Sequence, residues 1–278
     1  MVVLALIEQL PSSVQMELLI ADSFADAEGV SQRLATVLPP RYKVIFFNDI
    51  AAAYSRVLKA NYAVVHIDSD IGFRRNLTLW YLRIRSSQTK IAVYEEGLGT
   101  YRDDLYRGVR KVVLKLLGVG VYFGGQSRVQ VLYIYKPDEY KNSIRAKKTK
   151  IEKTISSLIA ENKYNLNYVF NAEKVFSDIE IRIPASSTCA IYLSSWDFKQ
   201  ATVDKLNDSA DFVIVKLHPH IKHLPSSEDG KNFIVPNGIP AEILIVAAAK
   251  RLKSIVVYHH GSSVNRYLDK ENVTFSVV

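Results

Sequence analysis

Residues suited to acid–base and phosphate chemistry occur in this chain at the ends of short apolar runs. The run 90–94 is followed at once by Glu95, Glu96 and Gly97, two adjacent carboxylates and a turn residue. A carboxylate in a desolvated cleft can take a proton from a hydroxyl, although acids ahead of a helix also serve simply as partners of its dipole. The run 211–217 leads into His218 and Pro219, and Lys216 stands two residues before the histidine. The proline biases His218 to an extended backbone, from which its imidazole can project beyond the strand end. His220 and His223 follow, but no carboxylate or cysteine at ligand spacing completes a metal site with them. Pro240, Ala241 and Glu242 open an apolar helix over 243–252, and the dipole alone would explain a carboxylate in that first turn. His259, His260, Gly261, Ser262 and Ser263 lie between the run 255–258 and a helix holding Val264, Tyr267 and Leu268. Hydroxyls and free N–H groups at a helix N-terminus form a phosphate or carboxylate site, with plain N-capping as the alternative. Asp68 and Asp70 have the Asp-x-Asp spacing that can hold a divalent cation, and equally the residue type that caps a turn.

The elements that must position these residues are short strands alternating with helices, the sequence mark of parallel α/β units. Strands are expected at 2–7, 43–47, 62–67, 90–94, 129–135, 190–193, 212–217, 233–235 and 255–258. In open parallel sheets ligands bind beyond the carboxyl ends of the strands, where the residues above all fall. Leu105, Val109, Val112, Val113, Leu116 and Leu117 recur at helical spacing, with Thr100 and Asp103 as a capping box and Gly118 at the position after the helix. Nine strands are too many for one small sheet. The polar, basic stretch after Tyr135 suggests a border near Lys136, giving domains 1–135 and 136–278, two Rossmann-like halves facing across a cleft.

Composition narrows the class. The chain has 278 residues, of which 48% are hydrophobic and 23% charged, so disorder and a disulfide scaffold are excluded. Its single cysteine, Cys189, lies in an apolar run and reads as a buried thiol in a reducing compartment. The N-terminus lacks the basic start of a signal peptide, and the longest apolar stretches, such as 243–249, are far too short to span a bilayer. A cytoplasmic location is the expectation. The net charge of +8 suits a nucleic acid, an anionic membrane or an acidic substrate. Much of it falls at 136–153, in Lys136, Lys141, Arg145, Lys147, Lys148, Lys150 and Lys153, which reads as a solvated face or as a peripheral contact with anionic lipid on the inner face of the membrane.

Taken in order, Glu95-Glu96-Gly97, then His218-Pro219, then Ser262-Ser263 resemble the three short motifs of bacterial sialyltransferases of the lipooligosaccharide and capsule group, which are related to bacterial polysialyltransferases. The motif-bearing part runs from about residue 62 to residue 268. The resemblance implies a two-domain GT-B fold, an inverting reaction without metal or other cofactor, and CMP-sialic acid as donor to a glycan acceptor. It implies Glu95, the first of the acidic pair, as general base, with Gly97 of the same motif binding the donor, and His218 with Ser262 and Ser263 at the leaving phosphate. The segment 239–242 is similar to the family's ribose-binding turn, which puts Lys216 and Glu242 on the cytidine side. A carboxylate base, and donors already aimed at the departing phosphate, are what such a transfer requires. With few residues after Ser263, a swapped or side-by-side homodimer would complete the cleft.

Other readings stay open from the residues alone. Donors carrying Kdo, pseudaminic or legionaminic acid share the CMP and the carboxylate. A metal-dependent nucleotide-sugar transferase would use Asp68 and Asp70. A basic nucleic-acid-binding protein would use the charge, but no aromatic platform or recognised fingerprint accompanies the lysines.

Overall fold

The computed structural model describes residues 1–218, 221, 232–268 and 270–278. In chain order, its first half comprises α1 (Val2–Glu8), β1 (Met16–Ala21), α2 (Ala27–Val37), β2 (Tyr42–Phe47), α3 (Ile50–Lys59), β3 (Val64–Ile67), α4 (Phe73–Arg85), β4 (Lys90–Tyr94), α5 (Gly108–Leu116), β5 (Val129–Ile134) and β6 (Lys147–Lys150). There follow α6 (Ile155–Glu161), α7 (Leu166–Val169), α8 (Glu173–Arg182), β7 (Thr188–Leu193), α9 (Gln200–Asn207), β8 (Phe212–Lys216), β9 (Asn232–Val235), α10 (Ala241–Arg251), β10 (Ser254–His259), α11 (Val264–Tyr267) and β11 (Val273–Val277). The chain forms two compact units, one of Met1–Val14 with Phe47–Thr154, the other of Gln15–Phe46 with Ile155–Val278.

The first unit is built on a four-stranded sheet in the order β3-β4-β5-β6, parallel throughout. Val65, Ile67, Ile91, Val93, Leu132 and Ile134 alternate along its strands into a core that Leu79 and Leu82 of α4 complete. Residues at alternate positions share a face, so one buried set fixes the register of each strand. The basic stretch 136–153 belongs to this unit, because β6 pairs with β5 from Val131 beside Lys147 to Ile134 beside Lys150. The expected border near Lys136 therefore falls inside it. The lysines there are partly engaged: Lys136 pairs with Glu139 at 2.9 Å, Lys150 with Glu152 at 3.5 Å, and the Lys148 ammonium lies over the Tyr140 ring.

The expected strand at 2–7 is instead the helix α1, in which Leu4, Ala5, Leu6 and Ile7 are all buried. A continuous apolar run has no period to tell a buried strand from a buried helix, and here every side of the helix is covered. The expected capping box also fails. Thr100 sits in a 3-10 turn, Leu98–Tyr101, where its hydroxyl accepts from the Glu96 N–H at 3.0 Å, and α5 begins only at Gly108 without a side-chain cap. The far end of α5 closes as expected. Gly118 has φ +69°, its N–H reaches Lys115 O and that of Val119 reaches Leu114 O, the paired bonds of a Schellman motif.

The second unit holds a five-stranded parallel sheet in the order β11-β10-β7-β8-β9. One face packs Ala190, Tyr192, Val213 and Val215 against Val203 and Leu206 of α9. The chain enters at β7, proceeds outward through β8 to β9, then crosses back to place β10 and β11 on the other side of β7. The strand order thus reverses between β7 and β10, the point in an open α/β sheet where the loops part and ligands bind. Residues 15–46 join this unit, Arg33 Nε donating to Val169 O at 2.7 Å. No helix among the described residues is long and apolar enough to cross a membrane.

Candidate functional site

Register brings most of the singled-out residues of the second unit to one sheet edge. Leu193 at the end of β7 lies beside Lys216 of β8 and His259 of β10, and Lys216 lies beside Val235 of β9. The loops starting at Ser194, Leu217, Pro236 and His260 therefore all leave the carboxyl edge of this sheet.

Lys216 is 5% exposed, and its ammonium donates to the carbonyls of Leu217 at 2.8 Å and Asn237 at 3.1 Å. Two of its three protons thus tie the end of β8 to the turn after β9. Burial pushes its pKa down to about 8, against the attraction of Glu242. Glu242 stands in the first turn of α10, the helix that follows the β9 loop. Pro240 is the N-cap of α10 with an extended backbone, its carbonyl accepting from the Leu244 N–H, one position earlier than the expected first helical residue.

His218 is held from two directions. Its N–H donates to Ser194 Oγ at 2.8 Å, and its ring lies 4.8 Å from that of Trp196 at a tilt of 32°. Trp196 is 72% exposed beside the imidazole. Sequence reasoning passed over both residues, although their place directly after β7 was a legible signal. Pro219, His220 and His223 lie outside the described residues. Among those described, no cluster of three or more His, Cys, Asp or Glu could hold a metal ion.

The loop after β10 corrects the expected anion site. The buried His259 accepts the N–H groups of Gly261 at 3.1 Å and Ser262 at 3.0 Å on Nδ1, so neutral His259 carries its proton on Nε2. Burial, and then neighbouring His260, lower its pKa and favour that neutral form. Two loop N–H groups are therefore already bonded, Ser262 Oγ accepts from the Val264 N–H at 3.3 Å, and Ser263 makes no side-chain cap. Since α11 has only four residues, its dipole adds little. Any anion bound here would rely on the half-buried Ser262 and Ser263 hydroxyls, beside a His260 whose Nε2 lies 3.0 Å from Tyr192 OH.

In the first unit the acidic pair divides into two different environments. Glu95 is fully buried at the end of β4, and its Oε2 accepts from Tyr101 OH at 2.6 Å and the Tyr135 N–H at 2.8 Å. It clips the 3-10 turn to the end of β5. Gly97, at φ +121° and ψ −152°, has a conformation essentially restricted to glycine, and it turns the chain away directly after the pair. Glu96 is exposed, and its carboxyl pKa is raised, first by partial burial and then by Asp68, with Arg75 opposing. Asp68 and Arg75 pair at 3.3 Å. A solvent-facing carboxylate held above its ordinary pKa is suited to accept a proton from a hydroxyl.

Asp68 and Asp70 do not act together. Asp70 is completely buried, with one oxygen accepting from the Gly124 N–H at 2.9 Å and the other from Gln126 N–H at 2.8 Å. Its carboxylate organises the loop before β5.

No family model matches the sequence, and no curated protein is similar to it. Among solved structures, the chain is similar to the wall teichoic acid polymerase TagF soaked with CDPG, at 10% identity and a TM-score of 0.48, over 94% of this chain and 69% of that one. The apo D-lactate dehydrogenase of Escherichia coli gives 11% identity and a TM-score of 0.24, over 94% of this chain and 88% of that one.

Proposed function

We propose that the chain is a transferase that moves an acidic sugar from a CMP-activated donor to a glycan hydroxyl, with sialic acid as the donor sugar. The observation that carries this reading is the convergence of Lys216, His218, Glu242 and Ser262-Ser263 on one carboxyl edge of the second sheet, where its strand order reverses. The order of the three short motifs along the chain supports the same class.

In this reading the second unit holds the nucleotide. Glu242 accepts from the ribose hydroxyls, Lys216 stabilises the cytidine side, and His218 with the serine hydroxyls donates to the phosphate as charge grows on it. The acidic pair after β4 supplies the base. As the acceptor oxygen bonds to the anomeric carbon, its proton passes to a carboxylate while the bond from that carbon to the phosphate oxygen breaks, releasing CMP with inversion. Glu96 fits this role through its exposure and raised pKa, and Glu95 fits that of the buried clip beneath it. Incubation with CMP-linked sialic, Kdo, pseudaminic and legionaminic acids, with CMP release as readout and with and without chelator, tests the proposal. CMP release from CMP-sialic acid alone among these donors, indifferent to chelator, is expected. Turnover of another CMP-sugar reassigns the donor, loss with chelator reassigns the mechanism, and no release from any donor refutes the class.

A further inference from the structure

The large apolar side chains that the described residues leave exposed are concentrated on two helices of the first unit. On α4 they are Phe73, Leu77, Trp80, Tyr81 and Ile84, between 46% and 62% exposed. Their spacing of four, three, one and three residues places them on one helical stripe, opposite the buried Leu79 and Leu82 that seat α4 on the sheet. On α5 they are Val109, Val112, Val113 and Leu116, with Leu117 just after, between 47% and 82% exposed. No residue of α5 is buried, so its apolar stripe faces solvent. α4 and α5 connect β3 to β4 and β4 to β5, neighbouring parallel strands in one direction across the sheet. Crossovers of this kind are right-handed, which puts both helices on the same face.

Charge identifies what would cover this face. α4 carries Arg74, Arg75, Arg83 and Arg85, and α5 carries Arg110, Lys111 and Lys115, with no acidic residue on either helix; Asp68 engages Arg75, and the remaining six cations have no carboxylate on their own helix. The exposed Arg74 and Arg85 flank the α4 stripe. A second copy of the chain would set these cations against the same cations. A nucleic acid would satisfy the charge but leave the stripes wet. A surface that offers anions above and hydrocarbon beneath satisfies both, with Trp80 and Tyr81 at the boundary.

We propose that α4 and α5 form a docking face for an anionic lipid bilayer, lying in the headgroup region with their apolar stripes turned inward. This face differs from the basic stretch 136–153, which exposes no large apolar side chain and holds acidic partners of its own.

Flotation of the full chain with vesicles of phosphatidylcholine alone, and with one-third phosphatidylglycerol, tests this. Wild type is expected on the anionic vesicles only, released by salt, with Trp emission quenched by brominated acyl chains and the quenching absent in Trp80→Phe. Val109→Glu with Leu116→Glu, and separately Leu77→Glu with Ile84→Glu, should each weaken binding at least about tenfold, the substituted side chains being exposed and the melting curve unchanged. Binding that survives both pairs overturns the proposal, as does failure of wild type to bind anionic vesicles. A wild-type dimer in light scattering that becomes a monomer in Leu116→Glu overturns it in favour of a second copy, and salt-sensitive binding to RNA lost with Arg110→Gln, in the absence of vesicle binding, overturns it in favour of a nucleic acid.

Discussion

Lys216 should make the stability of this protein rise with pH in a range where most proteins lose it. Its ammonium is buried, and burial lowers its pKa to about 8 from an ordinary 10.5. That difference biases the folded state against the charged form by about 3 kcal/mol at neutral pH. The folded protein releases the Lys216 proton near pH 8, the unfolded chain only near 10.5. Between those values the unfolded state binds more protons, so stability increases with pH. Integrated from about pH 8 to pH 10, the gain is about 2 kcal/mol. Lys216→Met keeps the unbranched stem to within one atom of its length and removes the titration. Urea unfolding of both proteins at intervals across this range, plotted as wild type minus variant, cancels the other titrating groups. The difference should climb toward the value expected for an uncharged amine. A flat difference would refute the buried ammonium and the bonds from Nζ to Leu217 O and Asn237 O. If the ammonium also meets the cytidine, CMP affinity should fall over the same range in wild type and not in the variant.

Glu96→Gln should cut turnover by about 10² to 10⁴ at unchanged melting temperature, whereas Glu95→Gln should act mainly on stability, by about 1 to 3 kcal/mol, through the bonds to Tyr101 and Tyr135; the reverse pattern returns the base to Glu95. Because Glu96 must be ionised to accept a proton and its pKa is raised, kcat/KM should decline on the acid side at a pH above the ordinary carboxylate range, and a rate profile without that limb would remove Glu96 from the reaction. His218→Ala should cost about 10² to 10³ in rate at saturating donor, and Ser262→Ala or Ser263→Ala should also weaken donor binding; a His218→Ala protein that merely unfolds in calorimetry would make the contact with Trp196 structural. Glu242→Gln should weaken CMP about tenfold or more and 2′-deoxy-CMP by less, and equal losses by calorimetry would exclude the ribose contact.

Several features were readable without coordinates, and they are those governed by local pattern. The apolar runs at 43–47, 90–94, 129–135 and 255–258 became β2, β4, β5 and β10 within a residue or two, because period and turn signals are local. The placement of Lys216, His218 and the 259–263 loop at strand ends was readable for the same reason. The lysine-rich β6 was missed because an edge strand needs no buried face and therefore shows no alternation.

Tertiary structure decided the rest, and the reason is that packing chooses among faces that the chain leaves equivalent. Nothing in the dipeptide Glu95-Glu96 says which carboxylate turns inward; the buried clip to Tyr101 and Tyr135, residues six and forty positions away, makes that choice. The N–H groups of Gly261 and Ser262 look free until the His259 ring is placed against them. Residues 15–46 precede the first sheet in sequence yet fold with the second unit, because contact follows burial and not chain order. The stripe from Val109 to Leu117 has the period of a core helix, and only the packed sheet, already covered by Leu79 and Leu82 of α4 with no residue of α5 buried, turns that stripe to solvent.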